Sequence, residues 1–290
     1  MSKVLHRCPA CRNSLHKRLS TSKLTLYDCH KCQLLHARVS NKKGGDYYDF
    51  FEPEKFEAYY KTFRKKTFKK NWKEIQRYKK KGKALDVGAS AGWFLDVQPK
   101  GWVVNGIEKY SSTVPLKYKK NIKQVDIYDL AFHSSYDVIT MWNVIEHLEN
   151  PNKALKIIHN ALNTDGILGI SFPNSSGLIS RMSYFLFDMS FGLIKNQLYT
   201  LFQVDSSSPH LFHFNENNMR IMLEKNGFMV LSIGRQRIID PANIDKRMQI
   251  EKKKTSIILS ITAKIVAYIL VYASSVFDMH DEVIIYSRKI

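Results

Sequence analysis

The chain has 290 residues, 44% of them hydrophobic and 12% aromatic, which excludes a wholly disordered polypeptide and allows one large domain with an appendage or two modest ones. Its 13 Gly and 8 Pro exclude a collagen-like or linker-dominated chain. The formal charge of +19 is lopsided: residues 1–83 carry 23 basic against 7 acidic side chains, a balance of +16, and residues 84–290 carry 22 against 19. A block of this kind suits a polyanionic partner: nucleic acid, an anionic membrane face or a phosphorylated substrate. The opening MSKVLHRC has no apolar core of signal-peptide length, and all four cysteines fall within the first 32 residues, so a reducing, cytoplasmic setting is expected.

Residues 1–38 hold two Cys-x-x-Cys pairs, Cys8-Pro9-Ala10-Cys11 and Cys29-His30-Lys31-Cys32, separated by 17 residues. Four thiolates on two tight turns can surround one Zn²⁺ tetrahedrally, and the spacing is that of a zinc ribbon. A thioredoxin-like pair would be a single Cys-x-x-Cys opening a helix; here there are two, in a short, turn-rich segment. A site closed by Cys8, Cys11, Cys29 and Cys32 leaves no position for water or substrate. The expected role of the metal is to hold together a segment too small for its own core. Residues 39–82 run through Gly44-Gly45 into a lysine-rich stretch. In it Phe56, Tyr59, Tyr60, Phe63, Phe68 and Trp72 recur at helical spacing, which predicts one or two amphipathic helices with their lysines in water.

From residue 83 short apolar runs alternate with helical stretches, the pattern of α/β architecture. Strands are predicted at Ala84–Val87, Val103–Ile107, Ile122–Val125, Val138–Trp142, Ile167–Phe172 and Met229–Ile233. Asn150-Pro151-Asn152 begins a helix over Ala154–Leu162, and Asn215 caps a helix over Glu216–Asn226 that Gly227 closes.

Lys83 to Leu95 read as strand, glycine turn and helix. Such a turn binds ligands in α/β folds: Gly88 admits close backbone approach, and the next helix offers its N-terminus to an anionic group. Ser90 and Trp93 stand where a dinucleotide fingerprint needs its second and third glycines, and no Gly-Lys-Ser/Thr follows for a P-loop. Glu108 ends the next strand 22 residues after Asp86, placed to accept both hydroxyls of a ribose. A ribose-bearing ligand with a carboxylate and no pyrophosphate fits S-adenosylmethionine (SAM).

Asp86-Val-Gly88-Ala-Ser90-Ala-Gly92 resembles motif I of the class I SAM-dependent methyltransferases. Tyr136 to Pro151, with Glu146-His147, resembles their fourth strand and the Glu-His motif after it; Asp165 to Pro173 resembles the fifth strand, and His210-Leu-Phe-His213-Phe a later landmark. The resemblance covers about residues 84–237 plus a last strand at Asp281–Arg288. It is greatest to the branch of ubiquinone-pathway and sugar methyltransferases, some with N-terminal zinc modules. It implies a Rossmann-like, seven-stranded sheet over residues 83–290, a zinc ribbon at 1–38, and a basic helical lid or linker at 39–82. Carried over, Asp86, Gly88, Ser90 and Gly92 frame the methionine end of SAM. Glu108 holds the ribose, Asp126 lies near the adenine, and Asn143 lies beside the methionine moiety or methyl group. Where some relatives carry a Glu-x-x-Glu-His site for a divalent cation, this chain reads Asn143-x-x-Glu146-His147, and losing one carboxylate argues against catalytic Mg²⁺.

Methyl transfer is an in-line displacement that needs alignment and, for some acceptors, a base. His147 is the first candidate base; the competing reading is a helix-start histidine that only shapes the pocket. His210 and His213 lie in the segment expected to cover the acceptor, with Phe212 and Phe214 in the core. Thr255–Phe277 is an apolar stretch interrupted by Lys264, better suited to lying on a membrane surface or on the sheet than to spanning a bilayer. With the second apolar insertion, Leu178–Phe202, it suggests peripheral attachment to anionic lipid. The leading expectation is a SAM-dependent methyltransferase acting on a small or lipid-linked acceptor, a saccharide or a quinone-like phenol. The alternatives are an RNA base methyltransferase using the basic ribbon region, and a non-catalytic SAM-fold binding protein.

Overall fold

Ala84–Val87 and Val138–Trp142 are unbroken buried runs, the signature of strands covered on both faces. In the computed structural model they form the centre of a seven-stranded sheet. The structure describes residues 5–40, 53–110, 114, 117, 120–130, 135–237 and 268–290, with side chains from residue 60 onward in the helix that opens the second stretch. The sheet contains β4 (Gly82–Val87), β5 (Trp102–Glu108), β6 (Ile122–Gln124), β7 (Tyr136–Trp142), β8 (Leu162–Pro173), β10 (Phe228–Gln236) and β11 (Glu282–Lys289), in the order β10-β11-β8-β7-β4-β5-β6. The pairs among β4, β5, β6, β7 and β8 are parallel, and β11 runs antiparallel to both of its neighbours. The order reverses at β4, so a crevice opens between the carboxyl ends of β4 and β7. Each predicted strand is present, several of them longer than expected.

Two helices on one face follow from their caps. In α2 (Pro151–Ala161) the Asn150 side chain accepts from the Lys153 N–H at 3.0 Å. In α5 (Glu216–Lys225) Asn215 and Asn218 cap each other reciprocally. On the other face lies α1 (Pro53–Tyr78), one helix of 26 residues. Its Phe68 and Trp72 enter an aromatic cluster with Phe94, Trp102 and Trp142, and Trp72 stacks on Phe94 at 4.6 Å. Lys66, Lys69, Lys70 and Lys73 are exposed on its outer side.

The helix expected after the glycine turn is absent. Residues 88–101 join β4 to β5, and only a single 3₁₀ turn, Leu95–Val97, forms among them. The turn is short because Phe94 is drawn into the aromatic cluster under α1 and Pro99 follows closely; burial of a large ring outweighs one further helical turn. No α-helix N-terminus therefore faces a ligand at this loop.

The N-terminal segment forms β1 (His16–Ser20), β2 (Leu24–Asp28) and β3 (Leu35–Val39). Its sheet is completed from far downstream: β3 pairs with β9 (Phe212–His213), so the order is β1-β2-β3-β9. The insertion at Leu178–Phe202 folds as α3 (Leu178–Met189) and α4 (Asn196–Leu201), leaving Phe191 97% and Leu193 85% exposed. Of Thr255–Phe277, residues 255–267 lie outside the described residues and 268–276 are helical. No helix among the described residues is long and apolar enough to cross a membrane.

Candidate active site

A cavity of 540 Å³ lies at the carboxyl ends of β4, β5 and β7, walled on one side by α1 and on another by residues 203–211. Gly88 turns the chain there at φ +73°; a Cβ on it would meet Val144 Cγ2 at 2.5 Å, so the turn excludes any side chain. Gly106 of β5 does the same for the loop's approach, since a Cβ there would fall 2.6 Å from Ala89 Cβ. Ser90 takes the left-handed conformation, φ +45°, and its N–H donates to Glu108 Oε2 at 3.0 Å. The Tyr110 N–H donates to the other oxygen at 3.2 Å, fixing the Glu108 carboxylate at the cavity wall. Asp86 is buried and accepts from the Thr140 hydroxyl at 2.7 Å; burial pushes its pKa to about 7. Asp126 caps the 3₁₀ turn Ile127–Asp129 and pairs with Lys109 at 2.9 Å. Burial raises its pKa, but the bonds from Lys109 and the Tyr128 N–H outweigh that and hold it below the ordinary value. Asn143 also has positive φ, +56°, and its Oδ1 accepts from the Ser171 hydroxyl at 3.0 Å.

At the opposite end, the His147 Nδ1–H donates to the Pro209 carbonyl at 3.1 Å and the His210 Nδ1–H to the Leu201 carbonyl at 2.7 Å. A carbonyl can only accept, so in both neutral rings the lone pair sits on Nε2. Burial depresses both pKa values, that of His147 to about 4. The rings meet edge to face at 4.8 Å. Glu146 is fully buried beside them; neither of its oxygens has a hydrogen-bond partner among the described residues, and burial raises its pKa to about 8. Ligand atoms of Glu146, His147 and His210 lie within 4.8 Å of one another, but one carboxylate and two imidazoles make a poor set for a hard cation.

Asp86, Gly88, Ser90, Glu108, Asp126, Asn143, His147 and His210 therefore line one cavity. Gly92 does not; at φ +72° it closes the loop by donating to the Ala89 carbonyl. His213 also lies outside the cavity lining, correcting its expected place there: its Nδ1 is bound to the Tyr184 hydroxyl at 2.6 Å in a buried pocket behind β9. Tyr60 of the expected aromatic stripe lines it, and so do Arg64, Gln203 and Ser207, which were not singled out from the sequence. Tyr60, Arg64 and Phe68 recur every fourth residue, so an arginine on the aromatic stripe of α1 was a usable signal; Gln203 and Ser207 sit in an irregular segment and carried none.

A family model described as a methyltransferase domain matches residues 59–233, more than half of the chain. The chain belongs to this methyltransferase family. Among solved structures, a SAM-dependent methyltransferase from Archaeoglobus fulgidus is 18% identical, covers 84% of this chain and 100% of its own, and gives a TM-score of 0.51. One from Thermotoga maritima is 16% identical over 82% of this chain and 100% of its own, with a TM-score of 0.47. No curated protein matches the sequence. As a class I methyltransferase the enzyme uses SAM as methyl donor, and the cradle at Gly88 with the oriented Glu108 carboxylate fits that molecule.

The cysteines also converge. Cys8 and Cys32 Sγ lie 3.5 Å apart and Cys11 and Cys29 Sγ 3.3 Å apart, and all four are free. Each knuckle is closed alike: the Arg12 N–H donates to the Cys8 carbonyl, the Gln33 N–H to that of Cys29, and Arg12 and Gln33 both have φ near +60°. The hydrogen bond from Cys32 holds the Cys8 thiol down to about 5 and pushes Cys32 up, and burial raises Cys29; four convergent sulfur atoms form a donor set that suits a thiophilic cation.

Proposed function

We propose that this methyltransferase transfers the methyl group of SAM to a hydroxyl of a small polyhydroxylated acceptor of the saccharide class, lipid-linked or free. SAM supplies an electrophilic methyl group on a sulfonium. Asp86 and the Gly88–Ser90 turn would hold its amino-acid end, with Gly92 closing the turn behind them. Glu108 would accept its ribose hydroxyls, Asp126 would border the adenine, and Asn143 would face the methyl group. His147, neutral and with its lone pair on Nε2, would take the proton of the acceptor hydroxyl, with His210 beside it.

The observation carrying this reading is the polarity of the acceptor end. Glu146, Gln203, Ser207 and Ser208 bring carboxyl, amide and hydroxyl groups into the wall beside His147 and His210. A polar wall of this kind favours an acceptor that offers several hydroxyls over a flat aromatic ring that offers one or two. The exposed lysines of α1 favour RNA as the competing acceptor. Labelling a cell extract with isotopic methyl-SAM, then separating lipid, glycan and RNA fractions, tests this. Label is expected in the glycan or glycolipid fraction, and label confined to RNA would overturn the reading.

Two further assignments belong to the same reading. The four cysteines hold Zn²⁺ as a structural ion, which metal analysis of the purified chain checks. The exposed Phe191 and Leu193, beside Lys195, fit insertion into an anionic bilayer surface. Failure to co-sediment with anionic vesicles at low salt would remove that partner.

A further inference from the structure

Leu211 occupies a singular position in the hydrogen-bond pattern. Its N–H donates to the Glu146 carbonyl at 2.7 Å, and its carbonyl accepts from the Ala37 N–H at 2.8 Å. One peptide segment thus joins the turn bearing Glu146 and His147 to strand β3 of the cysteine segment, and the preceding residue is His210. The attachment is reinforced along its length. His36 and Phe212 rings meet at 5.0 Å, and the Asn218 side chain at the start of α5 donates to the Cys32 carbonyl at 3.3 Å. The first knuckle is tied down as well, its Pro9 carbonyl accepting from Asn152 of α2 and Lys225 of α5. On the opposite side Leu24, Leu26, Leu35 and Val39 pack with Tyr184, Leu198 and Phe202 of the insertion, and the Phe202 carbonyl accepts from the His210 N–H.

We propose that the cysteine-stapled sheet is a brace for the acceptor wall: metal at Cys8, Cys11, Cys29 and Cys32 fixes the positions of His210 and the Glu146–His147 turn through Ala37 and Leu211, without touching either histidine. The inference rests on the zinc reading above. Its physical basis is that the two knuckles bury little beyond the cysteines, Ala10 and Leu34, so without a metal they lose what orders them, and β3, the only strand partner of β9 among the described residues, loses its anchor at that end. The donor loop hangs instead from β4, β5 and Glu108, in the other sheet. Ala37 and Leu211 are positioning residues.

The experiment uses the full-length protein with histidine ring labels, the His147 and His210 signals being assigned with H147Q and H210Q. Chelation is expected to shift or broaden both signals, and zinc but not magnesium to restore them. The dissociation constant of S-adenosylhomocysteine, read by calorimetry, is expected to change by less than about twofold, because the Gly88 loop and Glu108 are held from β4 and β5 and, among the described residues, couple to the histidine turn only through Val144. Ala37→Pro removes the clamping N–H and leaves the cysteines in place; it is expected to perturb the same two signals while the metal is retained. Unmoved histidine signals in both the chelated protein and A37P would overturn the brace, as would loss of S-adenosylhomocysteine binding in parallel with the histidine changes. A chain that purifies without metal would defeat the zinc reading alone, leaving A37P to decide the brace.

Discussion

At the donor end of the cavity every carboxylate is already engaged. Asp86 takes the Thr140 hydroxyl, Glu108 two backbone N–H groups, and Asp126 both Lys109 and the Tyr128 N–H. At the other end both Glu146 oxygens, Gln203 Oε1 and Ser207 Oγ make no hydrogen bond among the described residues, with His147 Nε2 standing 4.0 Å from Glu146 Oε1. The first end is preorganised: its geometry is paid for by folding and does not wait for a ligand. The second carries buried polar groups whose hydrogen-bonding capacity is not satisfied within the fold. A donor common to a whole family calls for the first kind of construction, and a particular acceptor for the second.

That contrast can be broken at either end. The largest effect is expected from His147→Gln, which should lower kcat by about 100- to 10,000-fold, the usual worth of a positioned base, and leave S-adenosylhomocysteine affinity unchanged. A weakened donor affinity in that variant would mean the two ends are not separable. Glu108→Ala should raise the dissociation constant for SAM about 150-fold, because two hydrogen bonds to a charged group, at the low end of about 1.5–3 kcal/mol each, sum to about 3 kcal/mol; calorimetry reads it directly. Gly88→Ala should cost about 1–3 kcal/mol of stability through its left-handed backbone. Part of that loss should return in the double variant with Val144→Ala, whose Cγ2 lies 2.5 Å from the added Cβ.

The smallest effect is on pH dependence. Burial raises the Glu146 pKa from 4.5 to about 8 and that of Asp86 to about 7. The folded chain therefore holds protons that the unfolded chain has released, and the stability involved, complete below the ordinary carboxyl value, is lost as pH rises through about 7 to 8. Burial lowers His147 and His213 to about 4, and their stabilisation, present above 6.5, is lost as pH falls toward that value. Between pH 6.5 and 8 the buried carboxyls lower stability as pH rises while the depressed Cys8 thiol acts the other way, so the melting temperature of the ligand-free enzyme should carry a falling carboxyl slope. Glu146→Gln should make that slope shallower, and an unchanged slope would place the ionisable group elsewhere.

The same division governs what could be read in advance. Asp86, Gly88, Ser90 and Glu108 were legible because a glycine turn and a strand-end carboxylate lie within one local strand–loop–strand unit, where chain order nearly dictates position. The two cysteine knuckles were legible for a similar reason, each being four residues long. His147 and His210, 63 positions apart in sequence, could be named as candidates, but their shared orientation depends on the carbonyls of Pro209 and Leu201, which no spacing announces. His213 belongs to the same short motif as His210, yet strand alternation turns it toward Tyr184 instead of the cavity.

The sequence by itself determined the methyl-donor fold, the strands and their caps, and the two knuckles, because periodic burial and short-range turn chemistry are properties of neighbouring residues. Only the tertiary structure decided that the loop after β4 forms no helix, that β9 completes the cysteine-bearing sheet, and that Gln203 and Ser207 line the cavity. Those outcomes come from competition among distant surfaces for burial, and a free energy summed over long-range contacts cannot be read from the order of the chain alone.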